Sequence, residues 1–322
     1  MKISSAAPNV HALTAHFACL GRRYGLLDRS DRVEYRPVTR PLRDTLARRS
    51  RTRDLQADGR RREIVGQRHR KGVSMRPEQA NSVDTGAPGQ WGGPAPSVLV
   101  FDVNETLIDF DAMLPLFDRV FGDQRVLREW LGQLIMYSMT LTLSGLYEDY
   151  YSLGEGLLRM VGRVHGAQVT TADTEELRTG MQTMPAHPDV EEGLTKLRNE
   201  GLRMVTLTNS PPSPHGQTPL EHAGLAHFFE RQFTIETARS YKPAPQVYHM
   251  VAQELAVPPS ACLMVATHVW DTVGAQSAGF TAGLLTRPGN APLPIPSLPQ
   301  PNVIAPDLSA LADKIIETRR VS

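Results

Sequence analysis

Short, continuous apolar runs punctuate the second part of the chain, and polar residues follow the first three. Ser97–Phe101 runs into Asp102, Arg203–Leu207 into Thr-Asn-Ser at 208–210, and Ala261–Ala266 into Thr-His-Val-Trp-Asp at 267–271, with further runs at Thr281–Leu285 and Asn302–Ala305. Uninterrupted β-branched and large residues of this length are what parallel strands buried on both faces require. Apolar residues at helical spacing lie between them. Val190, Leu194 and Leu197 share one face of a helix over 190–200, with Gly201 where a C-cap belongs, and Val247, Val251 and Leu255 share a face over 245–255. Further helices are expected over 271–278 and 307–317. Strands alternating with helices predict an α/β fold, a doubly wound parallel Rossmann-like sheet, in which ligands bind beyond the carboxyl ends of the strands.

Residues 111–185 break this rhythm. Met113, Leu114, Leu116, Phe117, Val120 and Phe121, then Trp130, Leu131, Leu134, Ile135 and Tyr137, then Leu153, Leu157, Leu158 and Val161 repeat at helical spacing, and no strand pattern intervenes. Such an insertion after the first strand reads as a helical cap domain, dividing the catalytic part into a core of 97–110 with 186–322 and a cap of 111–185.

Charge separates the chain into two materials. The formal net charge is +1, yet residues 1–76 hold 19 Lys and Arg against 7 Asp and Glu, leaving 16 against 27 for the remainder. From Arg22 to Lys71 arginine dominates and apolar residues show no period, so too little surface is available to offset the entropy of ordering. Only 40–49 has the makings of a helical turn or two. Three readings of this segment stand: an arm for nucleic acid or anionic lipid, an organellar transit peptide, or sequence preceding a true start at Met75. The Gly/Pro-rich stretch 86–96 reads as a linker, so residues 1–96 form an extension outside the catalytic part. Two cysteines, Cys19 and Cys262, make no disulfide framework and fit a reducing cytoplasm. No run approaches the length needed to cross a bilayer.

The polar residues at the strand ends carry recognisable chemistry. A carboxylate at the end of a buried strand, Asp102, is a candidate nucleophile, which needs donors to align it and a cation to balance it. Thr106 and Thr208 supply hydroxyls, Asn209 an amide, Lys242 an ammonium, and Asp271 a carboxylate to hold that lysine. Glu105 and His268 fall on loops at the same sheet edge. A pair there would hold and deprotonate a water, since an ordinary histidine titrates near neutrality. The alternative is that Glu105 caps a turn or faces the cap, and that His268 is a hydrogen-bonded loop residue.

Four elements in order, Phe-Asp-Val-Asn-Glu-Thr-Leu at 101–107, Leu-Thr-Asn-Ser at 207–210, Tyr-Lys-Pro at 241–243 and Trp-Asp at 270–271, together resemble the haloacid dehalogenase superfamily, and within it the type II 2-haloacid dehalogenases, over roughly 97–320. The resemblance implies hydrolysis of small 2-haloacids in two steps: Asp102 displaces halide to form an ester, and water then cleaves that ester. It implies that Thr208, Asn209 and Ser210 grip the substrate carboxylate. Tyr248 matches a dehalogenase tyrosine and either supports the site or packs its helix. Homodimerisation through the cap is implied in the same way.

Departures from the family pattern refine the expectation. The magnesium-dependent phosphatases of the superfamily resemble one another in a second acid two residues after the nucleophile and another four before the later aspartate; here those positions are Asn104 and Thr267. Phosphatase chemistry is therefore the alternative, and no metal or other cofactor is expected. The dehalogenases carry a halide-receiving arginine in the cap, where this chain has Leu131. Arg125 and Arg128 would point elsewhere, leaving Gln133 or the Trp270 indole as donors to the leaving group. Dinucleotide and P-loop glycine motifs and zinc-spaced cysteines are absent, and His165, His187, His215, His222, His227 and His249 are scattered. The proline-rich 288–296 reads as a connecting loop. No nucleic acid is expected for the core, nor a membrane; the partner is a small 2-halocarboxylate. A fold-keeping protein that only binds a small carboxylate is the other alternative.

Overall fold

The computed structural model describes residues 95–212 and 217–321, all within one compact unit, Pro77–Ser322. The arginine-rich segment, the helical turns expected over 40–49, the linker up to Pro94 and His215 lie outside the described residues.

The chain opens on β1 (Val98–Phe101) and then runs through four helices, α1 (Leu114–Phe121), α2 (Val126–Leu143), α3 (Tyr150–His165) and α4 (Thr171–Thr183). It returns through α5 (Val190–Asn199), β2 (Arg203–Thr208), the short α6 (Pro219–His222), β3 (Arg231–Thr234) and α7 (Pro245–Glu254). Then follow β4 (Cys262–Ala266), α8 (Val269–Ser277), β5 (Thr281–Leu285), β6 (Val303–Ala305) and α9 (Leu308–Val321). Among the described residues six strands form one sheet in the order β3-β2-β1-β4-β5-β6, every pair parallel. β1 lies inside the sheet with all four residues buried, as its apolar run predicts. Phe101 pairs with Thr206 of β2 and Val265 of β4, so the loops after these three strands leave the sheet together.

Two local details differ from the sequence reading. β3 was not expected: it is an edge strand, Arg-Gln-Phe-Thr, in which only Phe233 is buried, so it carries no apolar run. Helix α8 begins at Val269, two residues ahead of the expected start, which puts Asp271 in its first turn.

The inserted helices have their own interior. Trp130 of α2 is fully buried and its indole N–H donates to the Gly154 carbonyl at 3.0 Å. A Cβ at Gly154 would stand 3.2 Å from that indole, so the approach of α3 to α2 uses the missing side chain. Tyr241, after β3, ties these helices to the sheet. Its N–H donates to Thr142 Oγ1 at 2.9 Å, its hydroxyl to the Glu148 carbonyl at 2.5 Å, and its ring stacks on Tyr147. Cys262 opens β4 fully buried, and burial pushes its thiol up to about 11. Among the described residues no helix is long and apolar enough to cross a membrane.

Helices α5 and α9 close against each other at Gly193, where an added Cβ would come within 2.6 Å of Leu308 Cγ and 2.9 Å of its carbonyl carbon. Backbone cannot yield as a flexible side chain can, so Gly193→Ala should lower unfolding stability by about 1–3 kcal/mol, read from urea denaturation.

Candidate active site

Asp102 is the first residue past β1, and its amide still donates to Val265 of β4 at 3.0 Å, which holds it at the sheet edge. Its carboxylate is almost fully buried. Thr106 Oγ1 donates to Oδ2 at 2.7 Å and Lys242 Nζ to Oδ1 at 2.7 Å, so each oxygen has a donor. Lys242 spends its other two protons on Asp271 Oδ2 at 2.7 Å and the Leu207 carbonyl at 2.9 Å, and its side chain is 0% exposed. Tyr248 donates to Asp271 Oδ1 at 2.6 Å, completing that carboxylate. Tyr248 is also fully buried in α7 and packs edge-on against Phe280. Gly274 makes room for this, because a Cβ there would lie 2.8 Å from the Tyr248 hydroxyl.

The electrostatics follow from burial and proximity. Burial would raise the Asp102 carboxyl, but the Lys242 ammonium bonded to it and the nearby His268 ring overcome that and hold the group well below the usual carboxylate range. Burial would strip Lys242 of its proton, and the two carboxylates overcome that too. Asp271 goes the other way, raised by burial more than Lys242 lowers it.

A divalent cation does not suit these residues. The ammonium already bridges the two carboxylates that a metal would need, the Asn104 amide donates to Ser210 Oγ at 3.1 Å, and the Thr267 hydroxyl donates to the Leu285 carbonyl at 2.8 Å. Neither side chain presents an oxygen anion in place of the missing acids.

Glu105 and His268 do meet: Nε2 lies 2.6 Å from Glu105 Oε2. The other Glu105 oxygen accepts from Arg128 of α2, which also binds Asp111 at 2.9 Å. Arg128 therefore turns toward the site, contrary to expectation, although it reaches the rim and not the nucleophile; Arg125 turns to Asp123. Leu131 is buried among the helices. Glu105 has φ 59°, a left-handed conformation that glycine adopts freely and that costs other residues about 1–2 kcal/mol. His187 Nε2 binds the Glu105 carbonyl at 3.0 Å and helps to hold that turn.

Burial alone would lower the His268 imidazole, but the Asp102 and Glu105 carboxylates raise it to about 9, which favours the imidazolium near neutrality. Its Nδ1 is buried, without a hydrogen-bond partner, and faces Asp102 Oδ2 at 3.9 Å.

The 208–210 turn is partly folded onto itself. Ser210 N–H donates to Thr208 Oγ1 at 3.1 Å, and Asn209 Oδ1 accepts from the Lys242 amide at 3.1 Å. The backbone N–H of Ser210 is thus spent, leaving the Asn209 amide protons and the Thr208 and Ser210 hydroxyls as donors. Trp270 stacks on His268 with centroids 5.2 Å apart, and its buried indole N–H has no partner.

Three contributors were missed. Tyr150 and Tyr151, at the start of α3, are buried; the Asp102 charge adds to the burial that raises Tyr150, and the Tyr151 hydroxyl, beside Ser210, has no bonded partner. Arg287, after β5, donates to the Thr106 carbonyl at 2.9 Å and is paired with Asp189, fixing the turn that carries Glu105 and Thr106. An arginine just past a strand was a usable signal; the tyrosines read as helix packing.

A buried carboxylate at the end of the central strand, bridged by lysine to a second carboxylate, is an arrangement that suits a hydrolase. A family model described as haloacid dehalogenase-like hydrolase matches residues 96–279. The chain belongs to that family. It is 26% identical over 194 residues to the (S)-2-haloacid dehalogenase of Pseudomonas sp. (strain YL), covering 60% of this chain and 83% of that protein. To (S)-2-haloacid dehalogenase 4A of Burkholderia cepacia it is 28% identical over 195 residues, covering 60% and 84%. The fold resembles the L-2-haloacid dehalogenase of Xanthobacter autotrophicus with chloropropionic acid covalently bound, at TM-score 0.62 and 21% identity, covering 69% of this chain and 98% of that one.

The raised His268 adds stability that is fully present below its unfolded value of 6.5 and lost as pH rises through about 9. Melting temperatures taken from about pH 6 to about pH 10 should therefore fall more steeply for the wild type than for His268→Gln.

Proposed function

We propose that this protein hydrolyses small 2-haloacids to 2-hydroxyacids and halide through an ester on Asp102. The observation that carries this reading is the Lys242 ammonium bonded to both Asp102 and Asp271. A lysine in that place keeps the nucleophile ionised and aligned without a metal, which displacement at carbon requires and phosphoryl transfer in this fold does not favour.

Asp102 attacks C2 of the haloacid from the side opposite the halogen, and the bond pair leaves with the halide. Thr106 and Lys242 fix the two oxygens, so the attacking lone pair is presented without rotation of the carboxylate. The Asn209 amide and the Thr208 and Ser210 hydroxyls take the substrate carboxylate. The Tyr151 hydroxyl, unpaired and beside Ser210, adds a donor to that grip. With Leu131 in place of an arginine, the indole N–H of Trp270, buried and unpartnered, is the donor for the departing halide. Gln133 has no such burial. Helices α1–α4 serve as the cap that excludes water during displacement. The names of the curated relatives make the S enantiomer the first substrate to try.

Incubation with racemic 2-chloropropionate should release chloride from one enantiomer, and Asp102→Asn should reduce this by about four orders of magnitude or more. p-Nitrophenyl phosphate with or without Mg²⁺ should not be turned over. Phosphatase activity without halide release would overturn the assignment, and absence of both would favour a binding protein.

A further inference from the structure

His268 lies between two carboxylates of unlike fate. Asp102 loses its charge on becoming an ester, whereas Glu105 takes no part in that bond. The imidazole is fixed between them by its 2.6 Å bond from Nε2 to Glu105 and its stacking on Trp270, leaving Nδ1 as its open atom toward Asp102. At 3.9 Å from Oδ2, Nδ1 is within reach of one bridging water.

The charged groups around the ring are few. Asp102 and Glu105 favour its cationic form; Lys242, bonded to Asp102, and Arg128 of α2, bonded to the far oxygen of Glu105, oppose it. Asp271 is paired with Lys242 behind Asp102, and the buried Tyr150 adds no charge in its neutral form. While both carboxylates are ionised the imidazolium prevails, with a value of about 9. Esterification removes one anion and leaves both opposing cations in place.

We propose that His268 changes charge within each turnover: an imidazolium beside the free Asp102 carboxylate, it yields its Nδ1 proton to solvent when Asp102 is esterified and then takes a proton from the water that cleaves the ester. This rests on the dehalogenation reading. In the first step the Asp102 oxygen bonds C2, halide leaves with the bond pair, and Nδ1–H is released. In the second, water adds to the Asp102 carboxyl carbon as Nδ1 accepts one of its protons. The bond from the Asp102 carboxyl carbon to the alkyl oxygen breaks, and that oxygen takes the remaining proton as the 2-hydroxyacid. Asp102 is again a carboxylate and His268 an imidazolium. The net products are hydroxyacid, halide and one proton.

Asp102→Asn is an uncharged stand-in for the ester and needs no turnover. Ring ¹⁵N shifts of the full-length protein, followed against pH, should show His268 charged at about pH 8 in the wild type and titrating about one pH unit or more lower in Asp102→Asn. Equal titration in the two proteins, or a neutral His268 in the resting wild type near pH 7, would overturn the proposal. In parallel, His268→Gln mixed with excess 2-chloropropionate should release one chloride per chain and retain a mass adduct on Asp102, with ester cleavage slowed about 10²–10⁴-fold. Cleavage at the wild-type rate would also overturn it. If the wild type releases no halide from any 2-haloacid, the substrate reading fails, while the ¹⁵N comparison still decides the charge coupling, without a His268 variant.

Discussion

One buried ammonium organises this site. Lys242 has no solvent exposure and three protons, each donated to a fixed acceptor: Asp102, Asp271 and the carbonyl of Leu207. An ion so deep is tolerable only if its partners are equally fixed, because desolvation of an unpaired charge costs several kcal/mol. The demand spreads outward. Asp271 must be held, so Tyr248 bonds it, and Gly274 must lack a side chain so that Tyr248 can approach. Asp102 must present its oxygens in one orientation, so Thr106 fixes the second one, and Thr106 itself receives the Thr267 amide and is anchored through its carbonyl by Arg287.

The sheet is what makes such fixity attainable. Lys242, Asp102 and Asp271 come from distant parts of the chain, but the elements that carry them leave the sheet at one edge. Parallel strands with long crossovers bring the carboxyl ends of β1, β2 and β4 together, and the loops that follow need only be short. The helices inserted after β1 bring Tyr150, Tyr151 and Arg128 near these loops. These reach the rim from a part of the chain with no share in the sheet.

What the sequence disclosed follows the same physical division. Strands buried on both faces announce themselves as apolar runs, so β1, β2, β4, β5 and β6 were legible, while the half-exposed edge strand β3 was not. The meeting of Asp102, Lys242 and Asp271 was readable because a charge at the mouth of a buried sheet is costly to desolvate and persists there only with a partner or a task. The tyrosines of α3 were hidden, since an aromatic at helical spacing looks the same whether it faces a core or a substrate. The raised proton affinity of His268 was hidden for a different reason. A side-chain proton affinity belongs to the assembled neighbourhood, and two carboxylates separated by two residues in sequence came to flank one ring from both sides. The arginine at 128 was seen, but its direction depends on helix phase, and composition carries no phase.

Cys262 has a bearing on chemistry that its place in β4 would not suggest. Compounds that carry a leaving group beside a carboxylate are alkylating agents, and thiolates are their usual victims in a protein. Here the thiol is sealed within the sheet and its ionisation pushed up to about 11, so near neutrality almost none of it is thiolate and none of it is reachable. On the proposed reading, the ester on Asp102 is an adduct that water can remove, whereas a thioether is not. Among the described residues, the sulfur that could trap the reagent permanently is kept inert by the same burial that builds the strand beside Asp102.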